Sequence, residues 1–451
     1  MILGLFASAL AGLAVGLTPY APPPASQVVV YRDAGLIDGL GGGVKPHMAV
    51  IVEGAVIKAV LPDQQLSKAD LKGAEVVDLS GRYLLPGLVD SHVHLATSPN
   101  RKRAEALMRR EVYGGVTAVR DMAGDGRALA DLARASRVGE IPGPDIFYAA
   151  LMAGPGFFAD QRTVSATQGA TAGAVPWMQA VTSQTDLPLA VALARGTSAS
   201  GIKTYADISG RLLARITAEA HRQGMRVWSH GILFPATPEE VVAAGVDVIS
   251  HACQAGFQAA APPPVSMSPP PVLPYAQLAD PDNPRMAALF GEMRRRGQIL
   301  DATNYVYVVG EQERRAAGKP VSCSADLSAR LTAQAHRDGV MISAGTDSFS
   351  PPEDPFPALH QEIVFLGEKA GLSPVEAIRS ATLTGAMAIG QQAQMGTIEP
   401  GKLANMVVLA ANPLDDLRQL RSVVLTIKRG VRFARSAYPP LTREELDEED
   451  N

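Results

Sequence analysis

The chain has 451 residues, enough for about three ordinary domains or for one large barrel with a small companion. Apolar residues make up 47% and charged residues 19%, which suits a packed enzyme and excludes a disordered chain. Lys and Arg number 41 against 45 Asp and Glu, and no basic block stands out, so a nucleic-acid binder is excluded.

Residues Met1 to Leu17 are apolar or small, and no charge appears before Arg32. This run has the length of a signal-peptide core and is short for a membrane span. A Pro-rich break, TPYAPPPASQ, follows it. Residues 1–26 therefore read as a leader, and export to the periplasm or medium is expected, with a cytoplasmic protein as the alternative. No other segment is long enough to form a stable membrane span. Cys253 and Cys323 cannot make a disulfide framework. Two separate buried thiols are expected, with one bridge as the alternative.

From Gln27 the pattern becomes short β-branched runs broken by Gly and Asp, as in HMAVIVEGAVIKAVLP. Strand-like segments return near the other end in MGTIEPGKLANMVVLAANP and SVVLTIKRGVRFA. The two can share one small β domain, since chain ends often meet.

Between them, strand and helix alternate. GGVTAVRDM, GIKTYAD, MRVWSHG, VDVISHA, QILDATN and VMISAGTD are strand-like. SGRLLARITAEAHRQG and SADLSARLTAQAHRDG are helix-like, each ending at a Gly suited to a left-handed cap. This alternation predicts parallel strands with helical crossovers. His221 and His336 fall in the last helical turns, where a structural role is natural. Residues 259–284 are too Pro-rich for helix or central strand and read as a long loop. Residues 157–185 read as a second stretch of low order.

His92 and His94 end an apolar strand in LLPGLVDSHVHLA, and residues i and i+2 of a strand point to one side. Two imidazoles so placed can grip one metal ion. Lys203, His230, His251 and Asp347 each follow or end a later strand. Lys203 to His230 is 27 residues and His230 to His251 is 21, so these are consecutive units. His94 to Lys203 is 109 and His251 to Asp347 is 96, which fit about three and two units of roughly 31 residues plus insertions. The ligand candidates thus fall on strands 1, 4, 5, 6 and 8 of a (β/α)8 barrel, converging on its top face.

With these motifs the chain resembles the amidohydrolase superfamily, in the branch near imidazolonepropionases and Xaa-Pro dipeptidases. PGLVDSHVH, GVTAVRD, IKTYAD and SAGTDS carry the resemblance, as do LSPVEAIRSATLTGAMAIG and MGTIEPGKLANMVVL in the tail. It implies an α/β fold: a (β/α)8 TIM barrel over 85–392, and a small β-sandwich built from 27–84 and 393–437, with an acidic tail at 438–451.

The resemblance also implies a binuclear site for two divalent metal ions, and His-rich ligation with a hard carbamate suits zinc best. His92, His94 and Asp347 would hold one, His230 and His251 the other, and a Lys203 carboxylated by CO2 would bridge them. Asp347 would take the proton of the attacking water, and a metal-bound hydroxide would cleave a C–N amide bond. Burial favours the neutral amine that carboxylation needs.

The substrate implied is a small peptide-like or N-acyl amino acid amide. A lactam, lactone, carbamate or phosphotriester is the alternative at the same site, and a non-catalytic scaffold is the rival class. Tyr205, two residues from Lys203, is similar in position to a substrate-carboxylate ligand. Phe157 and Phe158, with Trp177, are candidates for an apolar wall, and Thr303 and Asn304 for the pocket lining at the end of strand 7. His360 and His47 read as structural, and Arg120–Asp121 as a structural ion pair. Two positions depart from the pattern: AGPGFFAD has no His where many relatives carry one, and Asn405 stands where relatives usually have Asp. Oligomeric state is left open, and a homo-oligomer is compatible with the sequence.

Overall fold

The computed structural model describes residues 24–266 and 271–446. The leader up to residue 23 and the last residues of the acidic tail lie outside that range. Among the described residues, no helix is long and apolar enough to cross a membrane.

Eight parallel strands form the barrel. In chain order they are Leu88–Val93, Val116–Asp121, Asp145–Ala153, Gly201–Thr204, Arg226–His230, Val248–Ser250, Ile299–Asp301 and Met341–Ser343. Each pairs in parallel with the next. The eighth strand closes on the first: Ser91 donates its N–H to the Ala344 carbonyl (2.9 Å) and Asp347 to that of His92 (2.8 Å). The apolar faces of the strands and of the surrounding helices share one core.

Helices Gly210–Arg222 and Ala325–Arg337 carry the paired signature seen in the sequence. Gly224 and Gly339 follow them at φ +74° and +83°, a backbone that costs Gly nothing. Met225 N–H reaches the Ala220 carbonyl, and Val340 N–H that of Ala335, which closes a Schellman cap and turns each chain into its strand. His221 pairs with Asp247 at 2.9 Å, while His336 lies 3.7 Å from Glu376.

The small domain is a mixed eight-stranded sheet. Its N-terminal strands are Val28–Leu36, Lys45–Glu53, Val56–Pro62, Glu75–Asp78 and Tyr83–Pro86. Met406–Leu409, Val423–Lys428 and Val431–Ala434 come from the other end. The two segments meet where Met406–Leu409 runs antiparallel to Tyr83–Pro86. One core joins Val52 and Ile57 from one end of the sheet to Ile427 from the other, so the sheet folds over on itself in the manner of a sandwich. Buried Lys428 ties this domain to the barrel through Asp145 (3.2 Å) and the Ser136 carbonyl (2.9 Å). Asn405 is buried, and its Oδ1 accepts from the Arg429 N–H at 2.8 Å, a β-domain role. His47 is exposed beside Asp33, and His360 is buried with its Nε2 on the Gly114 carbonyl.

Three expectations are corrected. Residues 157–185 are ordered: they form a short helix, Gln161–Ser165, and two short strands, of which Met178–Ala180 extends the sheet beside Leu151–Ala153. Cys253 and Cys323 are not separate thiols but a disulfide across 70 residues. Spacing alone hides this pairing, because the barrel returns residue 323 to the loop that follows His251. Arg120 does not pair with Asp121, its neighbour on the strand, because alternation points the two side chains apart. Arg120 instead reaches Asp301 (2.8 Å), while Asp121 accepts the Leu95 N–H (2.6 Å).

Candidate active site

The C-terminal ends of parallel barrel strands share one face, and the side chains singled out in the sequence gather there. His92 is on the first strand and His94 just beyond it. Lys203 is in the fourth, His230 ends the fifth, and His251 and Asp347 follow the sixth and eighth. His251 (φ +76°), Thr303 (φ +51°) and Asp347 (φ +48°) all adopt left-handed backbone at these strand ends. Such strain in non-glycine residues is characteristic of functional sites.

Each imidazole is oriented through one nitrogen. His92 Nδ1 sits 2.7 Å from Asp301 Oδ2, His230 Nδ1 3.1 Å from the Ile232 carbonyl, and His94 Nδ1 3.2 Å from the Ala123 carbonyl. These acceptors fix the Nδ1–H tautomer and leave Nε2 with a free lone pair. His251 Nδ1 is 2.8 Å from the Thr303 hydroxyl. Asp301 also accepts from Arg120 Nη2 and Ser250 Oγ, both at 2.8 Å, and is fully buried.

The lone pairs converge. Asp347 Oδ1 lies 3.4 Å from His92 Nε2 and 3.3 Å from His94 Nε2. Potential ligand atoms of His92, His251 and Asp347 all lie within 4.8 Å of one another. The ring centroids of His230 and His251 are 4.6 Å apart.

Burial pushes His92 and His251 below the ordinary imidazole range and His230 down to about 3, so these rings are neutral near pH 7. Neutral ring nitrogens facing a carboxylate oxygen repel one another unless a cation lies between them. His92 Nε2 is buried with no hydrogen-bond partner among the described residues. This nitrogen-and-oxygen donor set fits a divalent ion such as zinc. His230 Nε2 instead accepts from Gln254 Nε2 at 2.9 Å, a contact an ion there would replace.

Lys203 is buried, and desolvation lowers its amine to about 8. Its Nζ lies 5.2 Å from the centre of the Tyr205 ring. Tyr205 stacks between Phe157 (4.5 Å) and His230 (4.3 Å) and lines the cavity above the cluster. That cavity measures about 840 Å³ and combines apolar Phe157, Met178 and Phe349 with cationic Arg103 and Arg162.

Other expected positions differ. Phe158 is buried beneath Phe157 in a separate apolar cluster, and Trp177 stacks on Arg127. Thr303 and Asn304 lie beyond the end of the seventh strand, completely buried, and do not line the cavity. Thr303 holds His251, while Asn304 bonds Glu362, Ser328 and Thr332. Three site residues went unseen in the sequence: Asp301, Gln254 and Tyr307. Asp301 alone left a signal, an acid at the end of the seventh strand in QILDATN.

The chain matches the amidohydrolase family over residues 83–432. It belongs to that family. Part of it is 38% identical to a dihydroorotase of Thermococcus kodakarensis over 60 residues, 13% of this chain and 15% of that one. An ochratoxinase of Aspergillus niger is 31% identical over 132 residues, 28% of this chain and 26% of its own length. The chain thus spans about a seventh to a quarter of these relatives. Whole-fold likeness reaches much further. A putative prolidase structure from Bifidobacterium longum superposes with a TM-score of 0.67 at 25% identity, covering 94% of this chain and 98% of that one. The A. niger ochratoxinase structure gives 0.70 at 21% identity, covering 91% and 96%. Amidohydrolase-family membership therefore rests on the barrel and on the strands that flank it.

Proposed function

We propose that the chain is a metal-dependent hydrolase that cleaves the C–N amide bond of peptide-like or N-acyl amino acid substrates. The observation that carries this reading is the pair of acceptors His92 Nε2, fully buried, and Asp347 Oδ1, partly open to the cavity, 3.4 Å apart, with His94, His251 and Lys203 around them. Structural likeness to a putative prolidase and to a Xaa-Pro dipeptidase supports the choice of bond.

In this reading His92, His94 and Asp347 would hold one divalent ion, His230 and His251 would hold a second, and a carboxylated Lys203 would join them. Such ions supply Lewis acidity and lower the pKa of water. Asp347 accepts the proton of the attacking water and returns it to the nitrogen as the C–N bond breaks. Tyr205 binds the substrate carboxylate, and Phe157 forms an apolar wall. Asp301 holds His92 in the tautomer that presents Nε2. Export of the mature chain is part of the proposal, and the Cys253–Cys323 bridge supports an oxidising compartment. An N-terminus near Gln27 in protein from the native host would agree, whereas a retained Met1 would not.

The test is amine release from a panel of dipeptides and N-acyl amino acids, with zinc and bicarbonate supplied, before and after chelation. Release that chelation abolishes and zinc restores supports the reading. Lys203→Ala is expected to lower bound metal from two ions per chain and to cost at least 100-fold in rate. A Lys203→Ala variant with full metal and full rate refutes the bridge. No release, with metal bound, refutes amide hydrolysis and moves the assignment to lactams, lactones or phosphotriesters.

A further inference from the structure

One phenol in the cavity has no role in the preceding account. Tyr307 lies in the first turn of helix Asn304–Ala316, directly after the seventh strand, and lines the cavity together with Asp347 and Tyr205. Its hydroxyl makes no hydrogen bond among the described residues. The turn that carries it is firmly anchored. Asn304 N–H and Nδ2 reach Glu362 Oε1 (3.2 and 3.0 Å), and Tyr305 N–H reaches Oε2 (2.7 Å). Ser328 Oγ and Thr332 Oγ1 donate to Asn304 Oδ1 at 2.6 and 3.1 Å. Thr303, which caps the helix, holds His251 at the same time. The placement of the phenol is therefore coupled to that of the imidazole cluster, which is how a donor is kept in register with reacting atoms.

The two cavity phenols face different charges. Among charged groups, Arg162 acts most strongly on Tyr205 and Asp347 on Tyr307, and all four line the cavity. A phenol that shares the cavity with the residue that handles the water proton, and that has no acceptor among the described residues, awaits an oxygen of the substrate.

We propose that Tyr307 is a catalytic residue that donates a hydrogen bond to the carbonyl oxygen of the scissile bond as that oxygen becomes anionic. This rests on the hydrolase reading above. Tyr205, on the Arg162 side, takes the substrate carboxylate, so the two phenols divide binding from catalysis.

The test is steady-state kinetics of Tyr307→Phe and Tyr205→Phe with the best substrate of the panel, alongside metal content and thermal midpoint. Tyr307→Phe should lose roughly 100- to 1,000-fold in kcat with KM within about threefold, as for removal of one oxyanion donor. Its bound metal and melting midpoint should match wild type. Tyr205→Phe should raise KM instead. A Tyr307→Phe enzyme with unchanged kcat, or with only KM raised, overturns the proposal. If wild type cleaves lactones but no amide, the amide reading fails, and a kcat loss for Tyr307→Phe on that substrate still upholds Tyr307. If metal-loaded wild type cleaves none of these classes, both fall.

Discussion

Asp301 is the residue on which the orientation of the candidate site turns, and its removal gives a quantitative test. Its Oδ2 accepts from His92 Nδ1 (2.7 Å), Arg120 Nη2 (2.8 Å) and Ser250 Oγ (2.8 Å), with no solvent contact. Asp301→Asn keeps the volume but deletes the charge facing buried Arg120. Breaking a buried pair from one side costs about 3–5 kcal/mol, because the partner remains buried and uncompensated. Unfolding entropy of about 2.1 cal/mol/K per residue, over 451 residues, gives about 0.95 kcal/mol/K. The expected fall in melting midpoint is therefore about 3–5 °C. Metal affinity should fall separately, by about 10- to 100-fold, because His92 loses the acceptor that fixes its tautomer. Calorimetry reads the first effect and competition with a chromogenic chelator, in the folded range, reads the second. Arg120→Met combined with Asp301→Asn should recover much of the stability but none of the affinity. A single variant that melts within 1 °C of wild type and holds its metal equally well would refute the argument.

Two further perturbations follow from buried groups other than the candidate ligands. Glu111 is buried, and desolvation raises its carboxyl to about 7 from 4.5, so the folded chain holds a proton that the unfolded chain has released. That contribution is fully present below about pH 4.5 and lost as pH rises through 7. Glu111→Gln should match wild type near pH 4.5 and exceed it by about 3 kcal/mol at pH 8, read from denaturant midpoints; parallel pH curves for the two proteins would refute the shift. The Cys253–Cys323 bridge closes a 70-residue loop, for which chain entropy gives up to about 4 kcal/mol. The double Ser variant should lose that much under oxidising conditions and match reduced wild type, whereas equal stability of all three would show that the bridge does not form.

How much of this was written in the sequence depends on the distance over which each feature is encoded. Strands, helices and their Gly caps are local, so GIKTYAD and VDVISHA read as strands, and Gly224 and Gly339 as stops, without any fold in view. The six candidate ligands were legible because a parallel barrel puts every strand end on one face, so that order and spacing along the chain stand in for position. Side chains beneath that face obey no such rule. Asp301 acts through His92, 209 positions away, and Arg120 reaches it from a third strand. Period-two alternation could have excluded the Arg120–Asp121 pair but could not name Asp301 as the true partner. Thr303 and Asn304 were found at the correct strand end and given the wrong surroundings, because the left-handed turn at Thr303 sends both side chains under the site instead of into the cavity. Tyr307 was invisible for a related reason: it lies one helical turn past the strand, where only the helix axis decides which face meets the cavity. What the sequence concealed is thus the layer that orients the ligands, and that layer is where substitutions such as Asp301→Asn separate a working metal site from a set of histidines at strand ends.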